Sequence, residues 1–565
     1  MKLCTTLALL SFLASPTEPD PAPGDVLACV PEGCHQLAYC EDFAGLRSRA
    51  DRNDWVGLLR DENGALLLGE LEQAYREGTQ LELDDLLPIA SELRGEGVFF
   101  LVPGAACFFT AAEAPRDGVR AALAGWLPDP GPGGARNEIE LGVARAEVVA
   151  WPASASGNGG RTGHFAALVE HPRFLGLVSA DDLEVLTATL ESVVPRLDGA
   201  EPSSVVRGFQ AARATAQRGG VELFLDFSPY GGDAERLLER SAGGALPDPA
   251  GMLGLEEGTW LHARIDVQPG RRIDATGFLN VPKGTLAAQL ADTFGALPAD
   301  LGDRLPRGIV ALWALEWDMA DFYRVAREAF VERHGEDGFA TVDGGVGVVE
   351  AMTGVDPLVE LIGNLDGTLA LYFTEPDRSI PGDERYIASI GGLLGLSNGE
   401  GFLDAFERLI DSTMESAFDY DEVAGAEIYT FHDEDWDWLL DEEGEPVAPG
   451  GVALLPREFV AAVTGGVLAR QLRALRQEPD SSLASDARLG STLPDGRGAT
   501  FFSCVDLAWL HEAADLEGGR GPRSDTPDDD EAAVAGASLR EHIDARLVSQ
   551  VRRTEAGFDF SIEVR

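Results

Sequence analysis

A chain of 565 residues has room for roughly two to four domains, and a hydrophobic content of 45% excludes wholesale disorder. Its 96 acidic residues stand against 44 basic ones, a formal net charge of -52; so negative a surface repels phosphate backbones, which excludes nucleic acid as a partner. Lys2 and Lys283 are the only lysines, so arginine carries nearly all the positive charge.

The first feature in chain order is residues 1–25. Lys2, an apolar run from Leu3 to Ala14 and a spacer rich in Pro, Asp and Glu predict a secretory signal peptide. That run is too short to cross a bilayer. No later stretch reaches about eighteen apolar residues, so no transmembrane span is expected in the mature chain. The expected location is extracytoplasmic, either periplasmic or secreted. Cys29 and Cys34 flank the turn of "CVPEGC" and form a candidate disulfide. The alternative is that they, with Cys40, Cys107 and Cys504, are small buried hydrophobes. No CxxC occurs, so neither a zinc knuckle nor a redox pair is expected, and no cofactor.

Next comes a phrase that recurs. "AYCEDFAGL", ending at Leu46, returns as "LFLDFSPY" ending at Tyr230, "ALEWDMADF" ending at Phe322 and "FSCVDLAWL" ending at Leu510. Each joins a strand-like run to a helix-like run at an aspartate: Asp42, Asp226, Asp318 and Asp506. An aspartate at that junction predicts a helix cap. Its carboxylate accepts hydrogen bonds from the first free N–H groups and complements the helix dipole. Asp42 and Asp318 are 276 residues apart, and Asp226 and Asp506 are 280 apart. "DDLLPIASELRGEGVFFLV" from Asp84 matches "DPLVELIGNLDGTLALYFT" from Asp356 at an offset of 272. "PRFLGLVSADDLEVL" from Pro172 matches "PREFVAAVTGGVLARQL" from Pro456 at 284. These offsets predict an internal duplication, with one half at 27–296 and the other at 300–565. Period-two alternation in "RNEIELGVARAEVVAW" and helical spacing after Ser179 predict the fold class. It is α+β, in two tandem duplicated halves, each an antiparallel-rich sheet covered by helices. The stretch 517–537, "EGGRGPRSDTPDDDEAAVAGA", reads as a disordered insertion.

Two local patterns suggest chemistry. "GLSNG", Gly395 to Gly399, fits G-x-S-x-G between a strand-like and a helical run, the context of a nucleophile elbow at Ser397. His432 or His511 would then be the base and Asp441 its orienter. The competing reading makes Ser397 and Glu400 a capping box that opens the helix. In "HDEDWDWLLDEEGE", Asp433, Asp435 and Asp437 have the first spacings of a calcium loop. Trp438 at the sixth position and Gly444 at the twelfth exclude an EF-hand, leaving an irregular surface site as the metal alternative to a hairpin tip. "SGNGGRTG" precedes a strand rather than a helix, so it is not a phosphate loop.

The order "VPEG…YCEDFAGL", "LDDLLPIASELRG", "PRFLGLVS" and "SSVVRGFQAARATA…VELFLDF" resembles a group of uncharacterised exported bacterial proteins of planctomycete type, known as domains of unknown function. The resemblance covers most of the chain and rests on packing motifs. It implies export and brings no catalytic residues. The expectation is an exported, non-catalytic binding or structural protein whose partner is an unknown protein or envelope component. The alternative is a secreted serine hydrolase using Ser397.

Overall fold

The computed structural model describes residues 26–34, 36–54, 92–111, 116–125, 127, 135–151, 164–180, 182–215, 220–227, 258–270, 272–381, 384–413, 418–423, 426–432, 439–441, 444, 446–486, 489, 498–509 and 546–564. The signal stretch 1–25, the 517–537 stretch, Asp433, Asp435, Asp437 and His511 lie outside the described residues. Described residues up to Asn280 form one compact unit, and those from Val281 form another.

In the first unit the strands are β1 (Gln36–Cys40), β2 (Gly97–Val102), β3 (Ala105–Ala111), β4 (Ala135–Leu141), β5 (Ala144–Trp151), β6 (His164–Glu170), β7 (Phe174–Ala180), β8 (Val221–Asp226), β9 (Trp260–Val267) and β10 (Ile273–Asn280). Their order is β10-β9-β8-β1-β2-β3-β7-β6-β5-β4, every pair antiparallel. Helices α1 (Phe43–Ala50) and α2 (Arg116–Gly125) bring Phe43, Leu46, Val119 and Leu123 to one side, against Phe99, Phe108 and Leu177. Helices α3 (Leu183–Val193) and α4 (Ser204–Thr215) bring Leu186, Leu190 and Phe209 to the other, against Leu37, Phe100 and Phe109. A sheet buried on both faces needs apolar residues at odd and even positions alike. That is why β2 reads "GVFFLV" without alternation.

The second unit holds β11 (Ile309–Glu316), β12 (Leu365–Thr374), β13 (Ile390–Leu396), β14 (Phe418–Val423), β15 (Ala426–Phe431), β16 (Pro449–Leu454), β17 (Glu458–Thr464), β18 (Ala499–Asp506), β19 (Arg546–Thr554) and β20 (Gly557–Val564). Their order is β20-β19-β18-β11-β12-β13-β17-β16-β15-β14, again antiparallel throughout. Raising each strand number of the first unit by ten reproduces this order. Registers correspond as well. Leu37 faces Phe100 and Phe224, as Leu312 faces Tyr372 and Cys504. The helices are α5 (Leu286–Ala291), α6 (Leu301–Arg304), α7 (Met319–His334), α8 (Glu336–Thr353), α9 (Glu384–Ile387), α10 (Gly399–Thr413) and α11 (Gly465–Leu475). Leu301 and the α11 residues Val467, Leu468 and Leu472 bury one face of the sheet, on Leu312, Ala370, Tyr372, Leu393, Val460 and Phe502. On the opposite face α10 packs Phe402 and Ile410 with Tyr429, Leu454 and Phe459.

The expected fold class is corrected. The strands do not divide into two sheets; all twenty belong to a single antiparallel sheet that does not close. Alternation in a sequence marks a strand and the face it buries, but not its pairing partner or the point where a sheet stops.

Three of the four aspartates lie at helix starts. Asp42 accepts from the Gly45 N–H at 2.8 Å, and Asp318 from the Asp321 N–H at 2.9 Å. Asp506 accepts from the N–H groups of Ala508 at 2.9 Å and Trp509 at 3.3 Å. Asp226 ends β8, and the helix predicted to follow it lies outside the described residues. Antiparallel pairing of β1 with β8 sends Asp42 and Asp226 to opposite ends, roughly 20 Å apart along the strands. Pairing of β11 with β18 does the same for Asp318 and Asp506. Cys29 and Cys34, the candidate disulfide, are both free and buried, as are Cys40, Cys107 and Cys504. The Cys34 thiol donates to the Gln36 carbonyl at 3.3 Å, and burial pushes its pKa up to about 12. Among the described residues no helix is long and apolar enough to cross a membrane.

Candidate functional site

The middle of the second unit's sheet is apolar on both faces, and only one of them is fully covered. Two rows of residues run side by side across five strands. One is Ser503, Trp313, Leu371, Gly392 and Ala461; the other is Phe501, Leu315, Leu369, Leu394 and Phe459. All of them except Ser503 border an open cavity of about 490 Å³. Its size falls within the usual range of ligand pockets, and its lining is made of Trp, Phe, Leu, Ala and Gly. Leu371 is 48% exposed, an unusual state for a leucine at the centre of a sheet.

The hollow has a cause in two small residues. In the first unit the corresponding row is Leu223, Ala38, Phe99, Phe108 and Leu177. Phe99, Phe108 and Leu177 are buried there at 4%, 8% and 9% exposure, under α1 and α2. At the matching registers the second unit carries Leu371, Gly392 and Ala461. Where the first unit has a phenylalanine and a leucine, the second has a glycine and an alanine. Trp313, which replaces Ala38, returns part of that bulk at one side. Gly392 is not required by the backbone, since a Cβ there would meet only the Ala370 carbonyl oxygen at 3.6 Å. Its neighbour Gly391 differs: a Cβ would lie 2.3 Å from the ring of Tyr372, which is buried on the opposite face.

Aromatic side chains pack on two of the lining residues, Phe459 and Trp313. Phe402 and Phe406 of α10 each pack 5.4 Å from Phe459. Phe373, two residues along β12 from Leu371, lies 6.0 Å from Trp313 and 5.1 Å from Trp509. Phe406 also packs on Tyr429, whose hydroxyl donates to Glu407, the next residue of α10, at 3.2 Å. Glu422 and Glu427 are directly opposite one another on β14 and β15. Burial raises the Glu427 pKa above the usual carboxylate range, and the like charges of Glu407 and Glu422 add to the rise.

No family model, curated protein or solved structure matches the chain. None therefore bears on the resemblance to planctomycete-type proteins, and the site stands on its geometry alone.

Among the described residues, those singled out from sequence do not assemble into this groove. Ser397 is exposed just after β13, and its N–H donates to the Asn364 carbonyl at 2.9 Å. Among the described residues its hydroxyl has no histidine within hydrogen-bond distance. His432 lies instead 3.3 Å from Asp419. Nor does Ser397 cap α10; Asn398 does so, accepting from the Gly401 N–H at 3.2 Å. Among the described residues no group of three His, Cys, Asp or Glu side chains is placed to hold a metal ion.

A second concentration of polar groups lies in the first unit and is mostly buried. Glu222, with 1% of its side chain exposed, accepts from Arg213 Nε at 2.8 Å and lies 3.2 Å from His262 Nε2. Arg213 also pairs with Glu41 and stacks 4.9 Å over the Tyr39 ring. The matching registers in the second unit hold Phe502 and Val548 for Glu222 and His262. The same fold is built there without the charges.

The groove was missed in the sequence because its floor comes from five strands far apart in the chain. One signal was present. "LWALE", "LALYF" and "GGLLGL" are apolar at odd and even positions, so both faces of these strands needed a cover.

Proposed function

We propose that the protein is an exported, non-catalytic binding protein whose second unit takes an apolar ligand in the sheet groove. The observation that carries this reading is the open apolar cavity at registers where the first unit is filled by Phe108 and Leu177. A contiguous apolar surface left open in this way marks an interaction site. The test is titration with the neutral fluorophore N-phenyl-1-naphthylamine. The wild-type chain is expected to bind it at one site. The double variant Gly392→Phe/Ala461→Leu is expected to bind at least about tenfold more weakly with its fold intact, since those side chains occupy the hollow. Equal binding by the double variant would overturn the assignment. Covalent labelling of Ser397 by a fluorophosphonate would overturn the non-catalytic part.

Export rests on the order of residues 1–25, and matching strand orders support descent of both units from one duplicated segment. Intact-mass measurement of protein from the native host is expected to show loss of roughly fifteen to twenty-five residues. A full-length chain recovered from the cytoplasm would contradict export.

A further inference from the structure

We infer that the occupant of the groove is a long hydrocarbon chain whose headgroup, left outside, is uncharged or cationic. This rests on the binding reading above and adds the ligand's chemistry.

The lining decides the chain. The side chains bordering the cavity are those of Trp, Ala, Leu, Gly and Phe, so the Trp313 indole N–H is the one polar side-chain group among them. The backbone groups of the floor are engaged in the ladders joining β18, β11, β12, β13 and β17. A peptide or sugar laid there would leave its own N–H, C=O or O–H groups without partners, at a cost for each buried one. A hydrocarbon has none to leave. Five strands side by side span roughly 19 Å, enough for a long chain to lie across them.

Charge decides the headgroup. With a formal net charge of -52 the protein repels anions at long range. On the Phe459 side three carboxylates have the same sign. Glu407 on α10 and Glu422 and Glu427 on β14 and β15 lie past Phe406, which packs on the lining residue Phe459. Among the described residues none of the three is paired with a lysine or arginine. A carboxylate or phosphate headgroup would add to this repulsion, whereas an ammonium would relieve it.

The experiment is displacement of N-phenyl-1-naphthylamine by dodecanol, dodecylamine and dodecanoate, which share one chain and differ in charge. Dodecanol and dodecylamine are expected to displace the probe at one molecule per chain. At about 0.02 M salt dodecanoate should be at least about tenfold weaker than dodecylamine, and the gap should close at about 0.5 M as the charges are screened. Lengthening the alcohol from octanol to dodecanol should tighten binding about fourfold per methylene. In the variant Glu407→Gln/Glu422→Gln/Glu427→Gln the amine's advantage should shrink while dodecanol is unaffected. Equal displacement by dodecanoate and dodecylamine at low salt would overturn the headgroup. Affinity independent of chain length, or tighter displacement by a leucine-rich helical peptide than by dodecanol, would overturn the hydrocarbon. Failure of the fluorophore itself to bind would instead remove the binding reading.

Discussion

Glu222→Ala is expected to destabilise the first unit by about 3–5 kcal/mol, measured by urea denaturation. The substitution leaves the Arg213 guanidinium, with 13% of its side chain exposed, facing an empty space where its better-buried carboxylate stood. Its remaining partner, Glu41, is 42% exposed and therefore partly screened by water. His262 loses its partner as well, in a site with 2% side-chain exposure. A buried charge deprived of its counter-charge is far more costly than a pair that was never there. The matching registers of the second unit show what such a site looks like without the pair: Phe502 faces Ala314 on β11, and Val548 faces Cys504. Arg213→Met/Glu222→Phe/His262→Val, which removes the buried cation together with its carboxylate, is expected to stay within about 2 kcal/mol of wild type, because no buried charge is left without its counter-charge and the new side chains fill the volume. Equal losses in the single and triple variants would mean that the network is indispensable and that the comparison of registers misleads.

What the sequence made legible was local. An aspartate between a strand pattern and a helix pattern is a cap for reasons confined to four or five residues, and Asp42, Asp318 and Asp506 cap as expected. The turn at "GLSNG" is equally local, yet the helix takes Asn398 in place of Ser397. Both side chains are competent caps, and which one lies next to the first turn depends on where the helix begins. What stayed hidden depends on register. Gly392 and Ala461 are 69 residues apart, and each alone is an ordinary strand residue. They make a hollow because β13 and β17 pair so that the two lie side by side. Arg213, Glu222 and His262 converge in the same way, from a helix and two strands. The extent of the sheet was hidden for a related reason: an edge strand and an interior strand can carry the same alternation.

Register also links the two units through a glutamate. One residue past β1 stands Glu41, held by Arg213; the matching residue of the second unit is Glu316, at the end of β11. Among the described residues no lysine or arginine is within ion-pair distance of it there. Glu316 accepts from the Thr368 hydroxyl at 3.0 Å, and the backbone at Gly295 and Gly367 lies against its side chain. Burial lifts its pKa to about 7, the Thr368 hydrogen bond opposes the rise, Asp366 adds to it, and Arg304 is too weakly engaged to cancel it. Glu458, 3.5 Å from Arg304, is raised as well, chiefly by burial. A carboxyl whose folded pKa exceeds its unfolded value holds more protons in the native state between those two values. The stability it contributes is therefore complete below about pH 4.5 and is lost as the pH rises through about 7. The full shift would be worth about 3 kcal/mol, and partial solvent exposure of the side chain reduces that to ~1–2 kcal/mol. Thermal unfolding of the full chain is thus expected to show a falling Tm from pH 5 to pH 8. Glu316→Gln keeps an acceptor for Thr368 and removes the proton. Its Tm should exceed wild type at pH 8, match it near pH 5 and fall less between them, with the residual slope assigned to Glu458. A wild-type Tm that rises across this window, or a variant that keeps the whole slope, would show that Glu316 is ionised without penalty in the folded protein.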